Sequence, residues 1–443
     1  MTDLDLIIRA EGAVIDGMVG AACVGISGGV IEVIAPRDAP LRAAREVTLA
    51  ADEVLMPGVV DTHVHVNEPG RTQWEGYDTA TRAAAAGGVT TLFDMPLNSI
   101  PPTTTPEALA LKRSIAAGKA RVNVGFWGGA IPASLGHLRE LHDEGVFGFK
   151  SFLAPSGVDE FPHLTRAQLF EALAEVGSFG GLLIVHAEDP GRLEEAANAG
   201  GRDYADFVAS RPDAAETIAI GAVISGVRET GARAHILHLS SAAALPEIRE
   251  AKADGLPLTV ETCPHYLTFD AEHIPDGGTQ FKCCPPIRSE ANREALWDAL
   301  ADGTIDFVAS DHSPATAELK LGHDGDFGLA WGGIAGLQVS LAAVWTGARA
   351  RGYGIADVAD WMCETPAMWA GLDAKGDIRV GADADLIAFA PERPWHVSAA
   401  ALAHRNPVSA FDGSDLVGVV TRTWIAGEAW GEDTRGALLN RPT

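Results

Sequence analysis

Short apolar runs alternate with amphipathic segments along the chain from about residue 50 to about residue 315. The runs predict eight strands, namely Val54–Asp61, Val89–Met95, Arg121–Trp127, Val146–Phe152, Gly181–His186, Ala234–Leu239, Leu256–Glu261 and Ile305–Ser310. Most of these runs are continuously apolar, which is typical of parallel strands buried on both faces. The segments between them include helix candidates at Ala108–Ala117, Thr165–Val176, Ala214–Thr230 and Asn292–Ala301. Eight βα units in series predict an α/β fold, a (β/α)₈ barrel of the TIM type.

A doubly wound parallel sheet is the alternative architecture for alternating strands and helices. That fold needs a glycine-rich phosphate-binding turn after its first strand. This chain instead has Asp61-Thr62-His63-Val64-His65 at that place. The barrel is therefore the preferred prediction.

Both ends of the chain have the pattern of short strands rather than of βα units. The β-like pieces are Leu4–Arg9, Ala22–Ile26, Val30–Ile34 and Glu46–Leu49, and then Ala384–Phe389 and Val417–Ala426. Neither group alone contains enough strands for a stable sheet. We therefore predict one small β-sandwich domain built from residues 1–53 and 376–443, beside a barrel formed by residues 54–375.

Charge and composition exclude several classes of protein. The chain has 443 residues and a formal charge of −27, and this charge disfavours nucleic acids and anionic membranes, which attract basic surfaces. No apolar run approaches the roughly 20 residues of a membrane span, and the N-terminus lacks a basic leader. The five cysteines have no CxxC spacing, which favours a reducing compartment. A cytoplasmic protein without nucleic-acid or membrane partners is expected.

Histidines and charged side chains stand at the ends of predicted strands, where a barrel of this type forms its active site. They are His63 and His65 after strand one, Lys150 on strand four, His186 on strand five, His238 on strand six and Asp311 after strand eight. His63 and His65 point the same way, because side chains alternate along a strand. Imidazoles with a carboxylate are suitable ligands for transition metals. The strand ends therefore predict one metal site.

Two other histidines lie close to this group in sequence. His235 is three residues from His238, and this odd separation predicts that its side chain lies on the opposite face of the strand. His312 directly follows Asp311 and is expected to point away from it. Both are interpreted as structural residues outside the metal site.

Lys150 is one of only seven lysines, and it lies in an apolar strand. Burial and nearby metal cations both lower the pKa of such an amine. One interpretation is a lysine whose ammonium reaches the rim of the barrel. The other is a neutral amine that takes up CO₂ and becomes a carbamate, an anion whose two oxygens can bridge two metal ions.

Six motifs resemble those of the cyclic amidohydrolases, the group of dihydroorotases, hydantoinases or dihydropyrimidinases, and allantoinases. They are DTHVHVNEPG at 61–70, GFKSFL at 148–153, VHAED at 185–189, HLSS at 238–241, ETCPHY at 261–266 and SDHSP at 310–314. The segment KGDIRVGADADLIAF at 375–389 is similar to the return of such a chain into its β domain. The resemblance therefore extends over nearly the whole chain.

The resemblance implies a centre of two divalent metal ions and their ligands. His63, His65 and Asp311 are implied on one ion, His186 and His238 on the other, and carboxylated Lys150 between them. Zinc is the preferred metal, with iron, cobalt or manganese as alternatives, and CO₂ is needed for the lysine modification. The implied reaction is hydrolysis of a cyclic amide, with a metal-bridging hydroxide as nucleophile and Asp311 as general base and then acid.

Within the group, several stretches are most similar to allantoinases, including WEGY at 74–77, DMPLN at 94–98, KCCPPIR at 282–288 and WGGIAGLQ at 331–338. Allantoin opening to allantoate is therefore the leading prediction. A hydantoinase or dihydropyrimidinase with another ring preference would have the same metal ligands and remains an alternative. A non-catalytic scaffold protein is a third alternative, although such a relative is expected to have lost ligands.

The substrate is expected to be a small cyclic ureide, and we predict four contacts to it. They are the side chains of Asn67 and Ser313 and backbone groups near Cys284 and Gly333. The glycine-containing segment Ala315–Trp331 after strand eight is a candidate lid. A homotetramer is implied by the resemblance alone.

Overall fold

The computed structural model describes residues 4–196 and 200–442 of the chain. Its strands are, in chain order, β1 (Leu4–Ile15), β2 (Met18–Ser27), β3 (Val30–Ala35), β4 (Ala43–Thr48), β5 (Val54–Pro57), β6 (Val59–Val64), β7 (Val89–Asp94), β8 (Asn123–Phe126), β9 (Gly128–Gly129), β10 (Phe149–Phe152), β11 (Leu182–His186), β12 (Arg233–Ile236), β13 (Leu258–Thr262), β14 (Phe307–Val308), β15 (Leu386–His396), β16 (Asp415–Ile425) and β17 (Glu428–Ala429). The strands β6 to β14 form the barrel, and the others form a separate sheet.

The α-helices follow the barrel strands along most of the chain. They are α1 (Tyr77–Ala86), α2 (Pro106–Ala116), α3 (Leu138–Asp143), α4 (Arg166–Gly177), α5 (Pro190–Glu195), α6 (Tyr204–Ala209), α7 (Asp213–Thr230), α8 (Leu245–Ala253), α9 (Pro264–Thr268), α10 (Glu290–Ala301), α11 (Ala317–Leu321), α12 (Ser340–Ala350), α13 (Ile355–Ala359) and α14 (Thr365–Trp369). Within the described residues, none of these helices is long and apolar enough to cross a membrane.

The barrel strands are parallel neighbours in chain order. One part of the sheet runs β6-β7-β8, and the other runs β9-β10-β11-β12-β13-β14. Only Trp127 separates β8 from β9, and its indole donates a hydrogen bond of 2.9 Å to the carbonyl oxygen of Thr62 on β6. A parallel bridge between Val64 and His312 connects the end of the last strand with the first. The predicted (β/α)₈ barrel is therefore confirmed.

Both termini contribute to the small sheet, whose order is β17-β16-β15-β5-β1-β2-β3, with β4 beside β1. Leu6, Val24, Leu55, Leu386 and Trp424, from five different strands, belong to one apolar cluster separate from the barrel core. The shared β domain predicted from the two ends is thus present, with all of its strands in one continuous sheet.

The predicted first barrel strand, Val54–Asp61, is two strands in the structure. β5 pairs with β1 and β15 of the small sheet, whereas β6 pairs with β7 of the barrel. Gly58 is the junction, and a Cβ there would lie 2.1 Å from Thr90 Oγ1, so only glycine permits this approach. The domain boundaries at residues 53 and 375 stay a prediction, but β5 itself hydrogen-bonds within the small sheet.

Local sequence signals explain where several helices begin and end. The hydroxyl of Thr105 caps α2 by accepting from the Ala108 amide, and Pro106 occupies the first turn. Thr165 and Gln168 form a capping box at the start of α4. Gly231 ends α7 in the left-handed conformation, with φ of 68°.

Candidate metal centre and active-site cavity

A cavity of about 350 Å³ opens at the carboxyl ends of the barrel strands. Its walls contain all six residues that the sequence predicts as metal ligands, namely His63, His65, Lys150, His186, His238 and Asp311. His63, Lys150 and His186 lie on β6, β10 and β11, and the other three lie just after β6, β12 and β14. The structure therefore brings the six predicted ligands to one place.

His63, His65 and Asp311 form a compact and buried group. Oδ1 of Asp311 lies 3.3 Å from Nε2 of His63 and 3.5 Å from Nε2 of His65. One donor atom from each of the three lies within 4.8 Å of the other two. Two imidazole nitrogens that face one carboxylate oxygen at this spacing can hold a transition-metal ion.

The four imidazole rings form a continuous arc along the cavity wall. The ring centroids are 5.5 Å apart for His65 and His63, 5.5 Å for His63 and His238, and 4.6 Å for His238 and His186. Nε2 of His63 and Nδ1 of His238 are buried without a hydrogen-bond partner in the described part of the chain. Since buried polar atoms are nearly always paired, two unpartnered nitrogens facing one cavity fit a pair of bound cations.

Burial favours the neutral form of three of these rings, which is the form that binds a metal ion. It lowers the pKa of His65 to about 4 and lowers the pKa values of His186 and His238 as well. Burial alone would raise the pKa of Asp311, but His63 and His65 lower it below its ordinary value. These three rings are therefore neutral and Asp311 is ionised at neutral pH.

Lys150 lies on β10 and is completely buried. Its Nζ has no hydrogen-bond partner among the described residues and lies 4.5 Å from the ring centroid of Phe152. Burial lowers the pKa of this amine to about 7, although the carboxylates of Asp311 and Glu261 act in the opposite direction. A large fraction of the amine is thus unprotonated near neutral pH.

Two buried carboxylates, Glu188 and Glu261, hold imidazoles of the cavity wall by hydrogen bonds. Glu188 Oε2 lies 2.7 Å from Nε2 of His186, which leaves Nδ1 of that ring for a metal ion. Burial alone would raise the pKa of Glu188, but Arg211 and His186 lower it below its ordinary value. Glu261 Oε1 lies 2.5 Å from Nδ1 of His63, and burial is likewise outweighed by His63 and His235, so its pKa is about 2. Sequence reasoning missed both, although each lies inside a quoted motif.

His238 and Asp311 have strained backbones, with φ of 39° and 42°. Both follow the last residue of their strands, since β12 ends at Ile236 and β14 ends at Val308. Residues other than glycine seldom adopt this left-handed conformation, and such strain is concentrated at functional sites. The two turns direct both side chains into the cavity.

Three of the four predicted substrate contacts lie in the cavity wall, namely Cys284, Ser313 and Gly333. Asn67 does not line the cavity. It is buried behind the wall, and its Nδ2 donates a hydrogen bond of 3.4 Å to the carbonyl oxygen of Pro314. The amide of Asn98 lines the cavity instead, and its Nδ2 lies 3.4 Å from Nδ1 of His65.

Arg211, Lys282 and Trp331 also line the cavity and were not predicted as site residues. Arg211 forms an ion pair with Glu188. Lys282 Nζ donates a hydrogen bond of 2.5 Å to the carbonyl oxygen of Ala330. Lys282 and Trp331 lie in motifs quoted for the resemblance, but no local pattern indicated Arg211.

The candidate lid, Ala315–Trp331, contains the short helix α11 and supplies Leu329, Ala330 and Trp331 to the cavity wall. Trp331 packs on Trp74, with ring centroids 4.8 Å apart. Lys320, on α11, is buried and donates to the carbonyl oxygens of Lys282, Trp331 and Gly333. The segment thus forms one wall of the cavity, and its mobility stays a prediction.

A second group of possible ligands shares Asp311. Donor atoms of Cys263, His265 and Asp311 also lie within 4.8 Å of one another. Neither Cys263 nor His265 lines the cavity, so this group lies behind the wall rather than at the reacting space. The two histidines interpreted as structural have other partners, since His235 contacts Thr259 and His312 contacts Glu75.

The sequence of the chain is similar to those of known allantoinases. It is 55% identical to the allantoinase of Streptomyces avermitilis over 446 aligned residues, which cover 100% of both chains. It is 45% identical to the allantoinase of Saccharomyces cerevisiae over 380 residues, covering 84% of this chain and 82% of that protein.

The structure is similar to that of an L-hydantoinase (dihydropyrimidinase) from Arthrobacter aurescens. The TM-score is 0.91 at 29% sequence identity, over 99% of this chain and 98% of the other. The model of the amidohydrolase family matches residues 54–430, which include all six residues of the cavity named above. This match and the full-length similarity show that the chain belongs to the amidohydrolase family.

Proposed function

We propose that this chain hydrolyses the cyclic amide of allantoin to allantoate at a centre of two divalent metal ions. The observation that carries the proposal is the convergence of four imidazoles, a buried lysine and a carboxylate on one cavity at the strand ends. The choice of allantoin rests on the 55% identity to the Streptomyces avermitilis allantoinase over the whole chain.

The donor atoms support two metal positions. The first would be held by His63, His65 and Asp311, whose nitrogens lie 3.3 and 3.5 Å from one carboxylate oxygen. The second would be held by His186 and His238, whose rings are 4.6 Å apart. We infer zinc at both positions, since imidazole-rich sites suit it, and metal analysis would separate zinc from iron, cobalt and manganese.

Lys150 would bridge the two positions after carboxylation. In that step the lone pair of the unprotonated Nζ forms a bond to the carbon of CO₂, one C=O π pair moves to oxygen, and one proton passes from the nitrogen to solvent. The buried amine without a partner and its pKa of about 7 support this assignment. The product is an anion with two oxygens, which could pair with two metal cations where the unpartnered amine could not.

When bound, two divalent cations would lower the pKa of a water molecule and polarise the carbonyl group of the substrate. Asp311 is the residue that would hold the proton of that water and pass it to the ring nitrogen that leaves. Cys284, Ser313 and Gly333 lie in the wall where the ring amides and ureido group would be held. Trp331, packed on Trp74, would limit the entry of solvent.

We infer a homotetramer from the resemblance to the cyclic amidohydrolases, and analytical ultracentrifugation of the full chain tests it. A cytoplasmic location is proposed from the cysteines, which are all free in the structure and four of which are buried. Free thiols are typical of reducing compartments.

A substrate panel tests the proposal. Protein reconstituted with zinc and bicarbonate would be assayed for opening of allantoin, hydantoin, dihydrouracil and dihydroorotate rings. The proposal expects allantoin to have the highest kcat/KM. Preference for hydantoin or dihydrouracil would instead support the second candidate, a hydantoinase, which the TM-score of 0.91 to the Arthrobacter aurescens enzyme favours. Two bound metal ions without turnover of any ring would contradict both.

A further inference from the structure

Glu261 connects the two halves of the candidate metal centre. It lies on β13, the seventh strand of the barrel, which supplies none of the six proposed ligands. Its side chain is completely buried. Oε1 lies 2.5 Å from Nδ1 of His63 and also accepts a hydrogen bond of 3.3 Å from the backbone amide of His238.

The second oxygen of Glu261 is held as well. Oε2 lies 3.2 Å from Nε2 of His235, whose Nδ1 lies 2.8 Å from Thr259 Oγ1. The His235 ring is stacked on Phe307 at 5.1 Å and packs against Trp369 at 4.5 Å. These contacts fix the position of the carboxylate, because every partner is itself buried or packed.

The ion pairs among the described residues give Glu261 only His63 and His235 as partners, with no lysine or arginine. An ionised carboxylate only accepts hydrogen bonds, so the proton between it and His63 belongs to Nδ1. Nε2 of His63 then carries the lone pair, and this is the nitrogen that faces Asp311 at 3.3 Å.

We propose that Glu261 is a positioning residue that fixes the tautomer of His63 and the backbone turn at His238. A single carboxylate thereby orients one proposed ligand of each metal position, His63 and His238. The inference rests on the metal centre proposed above. A carboxylate behind a ligating histidine typically contributes a 10- to 100-fold effect on metal affinity, so we expect about that loss without Glu261.

Glu188 provides a useful contrast. It also accepts a hydrogen bond from a proposed ligand, His186. Its other hydrogen bonds among the described residues are to Arg211, and none goes to a residue of the other metal position. Substitution of Glu188 should therefore weaken metal binding at one position, that of His186. Substitution of Glu261 should weaken metal binding at both positions. The effect should be larger at the position of His63, because the hydrogen bond of Glu261 is shorter there than at His238.

The test compares Glu261→Gln with wild type and with Glu53→Gln. Glu53 is a buried glutamate directly before β5, where it accepts hydrogen bonds from the Ala50 amide and the Thr421 hydroxyl. Zinc affinity would be measured by chelator competition, and the Co²⁺-substituted proteins would be compared by their visible absorption. We expect Glu261→Gln to bind metal about 10- to 100-fold more weakly with a changed cobalt spectrum. Glu53→Gln should match wild type in both.

Equal zinc affinity and equal cobalt spectra for Glu261→Gln and wild type would overturn the inference while leaving the metal centre intact. A wild-type protein that binds no metal would instead contradict the proposed function. If Glu261→Gln does not fold, the tautomer of His63 in metal-free wild type decides the question by ¹⁵N NMR. Protonation at Nδ1 supports the role of Glu261, and protonation at Nε2 overturns it.

Discussion

Lys112 and Lys150 are both buried lysines of the barrel, but their surroundings differ. Lys112, on α2, is 1% exposed, and its Nζ lies 2.9 Å from Asp94 Oδ2 and 3.0 Å from the carbonyl oxygen of Met95. Lys150 is 0% exposed and has no hydrogen-bond partner for Nζ in the described residues. The same fold therefore satisfies one buried amine completely and leaves another without a partner.

A third buried lysine resembles Lys112 in this respect. Nζ of Lys320 donates to three backbone carbonyl oxygens, at 2.6 Å for Lys282, 2.9 Å for Trp331 and 2.5 Å for Gly333. Since an unpaired buried amine is unfavourable, its persistence requires a reason, and the cavity wall at Lys150 suggests chemistry rather than packing. The partners of a buried lysine thus separate structural positions from reactive ones.

The largest expected effect is on activity, from Lys150→Met. This change removes the proposed bridge, and we expect ring opening to fall by about 1,000-fold or more with loss of bound metal. The free energy of unfolding of the metal-free protein should stay equal or rise, because a buried amine without a partner is removed. Metal analysis, turnover assays and urea unfolding measure these quantities.

Lys150→Ala extends this test, since the smaller side chain leaves space for a short-chain carboxylic acid. Partial recovery of activity with that acid would support an anionic bridge. Full activity and metal content in Lys150→Ala without the acid would show that the carbamate assignment is wrong.

Lys112→Met should lower stability and leave metal binding unchanged, the reverse of the result expected for Lys150→Met. It leaves Asp94 buried without its ammonium partner, although Tyr77 Oη still donates to Oδ2 at 2.7 Å and the Val66 amide to Oδ1 at 3.0 Å. Breaking a buried ion pair from one side costs about 3–5 kcal/mol, so urea unfolding should show a loss of this size. The folded fraction should bind metal as wild type does. Unchanged stability would contradict the assignment of Lys112 as structural.

The sequence predicted the barrel and the convergence of the six candidate ligands because both depend on local features. Apolar runs indicate buried parallel strands, and the strand ends meet at one opening. The same rule was too simple for His238 and Asp311. β12 ends at Ile236 and β14 at Val308, so both residues lie on strained turns beyond the alternating pattern. His235 does not line the cavity, and its interpretation as a structural residue stays a prediction, but it contacts Glu261, the carboxylate that also contacts His63.

The residues that support the ligands could not be predicted in the same way. Glu261 reaches His63 across 198 positions of sequence, and Arg211 reaches Glu188 across 23. Such pairs depend on which strands become neighbours and on side-chain length, which no local period indicates. Asn67 stays a predicted substrate contact, although the structure buries it outside the cavity lining with a hydrogen bond to the carbonyl oxygen of Pro314.

A pH effect follows from the pKa of about 7 for Lys150 in the folded protein, against 10.5 as its ordinary value. Between these values the folded state binds fewer protons than the unfolded state, so this group makes stability rise with pH across that range. Between about pH 7 and about pH 9, the free energy of unfolding of metal-free wild type should rise by about 2 kcal/mol relative to that of Lys150→Met. Urea unfolding at several pH values measures the difference. A constant difference would show that Lys150 is protonated, or neutral, in both states.

The smallest expected effect comes from Lys320→Met, because three backbone carbonyls lose one shared donor while a buried amine is also removed. We expect a loss of about 1–3 kcal/mol in the free energy of unfolding. Since those carbonyls belong to Lys282, Trp331 and Gly333 of the cavity wall, KM should rise several-fold with little change in kcat. Lys252→Met is the control, since Lys252 binds Gly303 and Asp306 away from the cavity. Equal KM values for the two variants would mean that Lys320 stabilises the fold without shaping the substrate site.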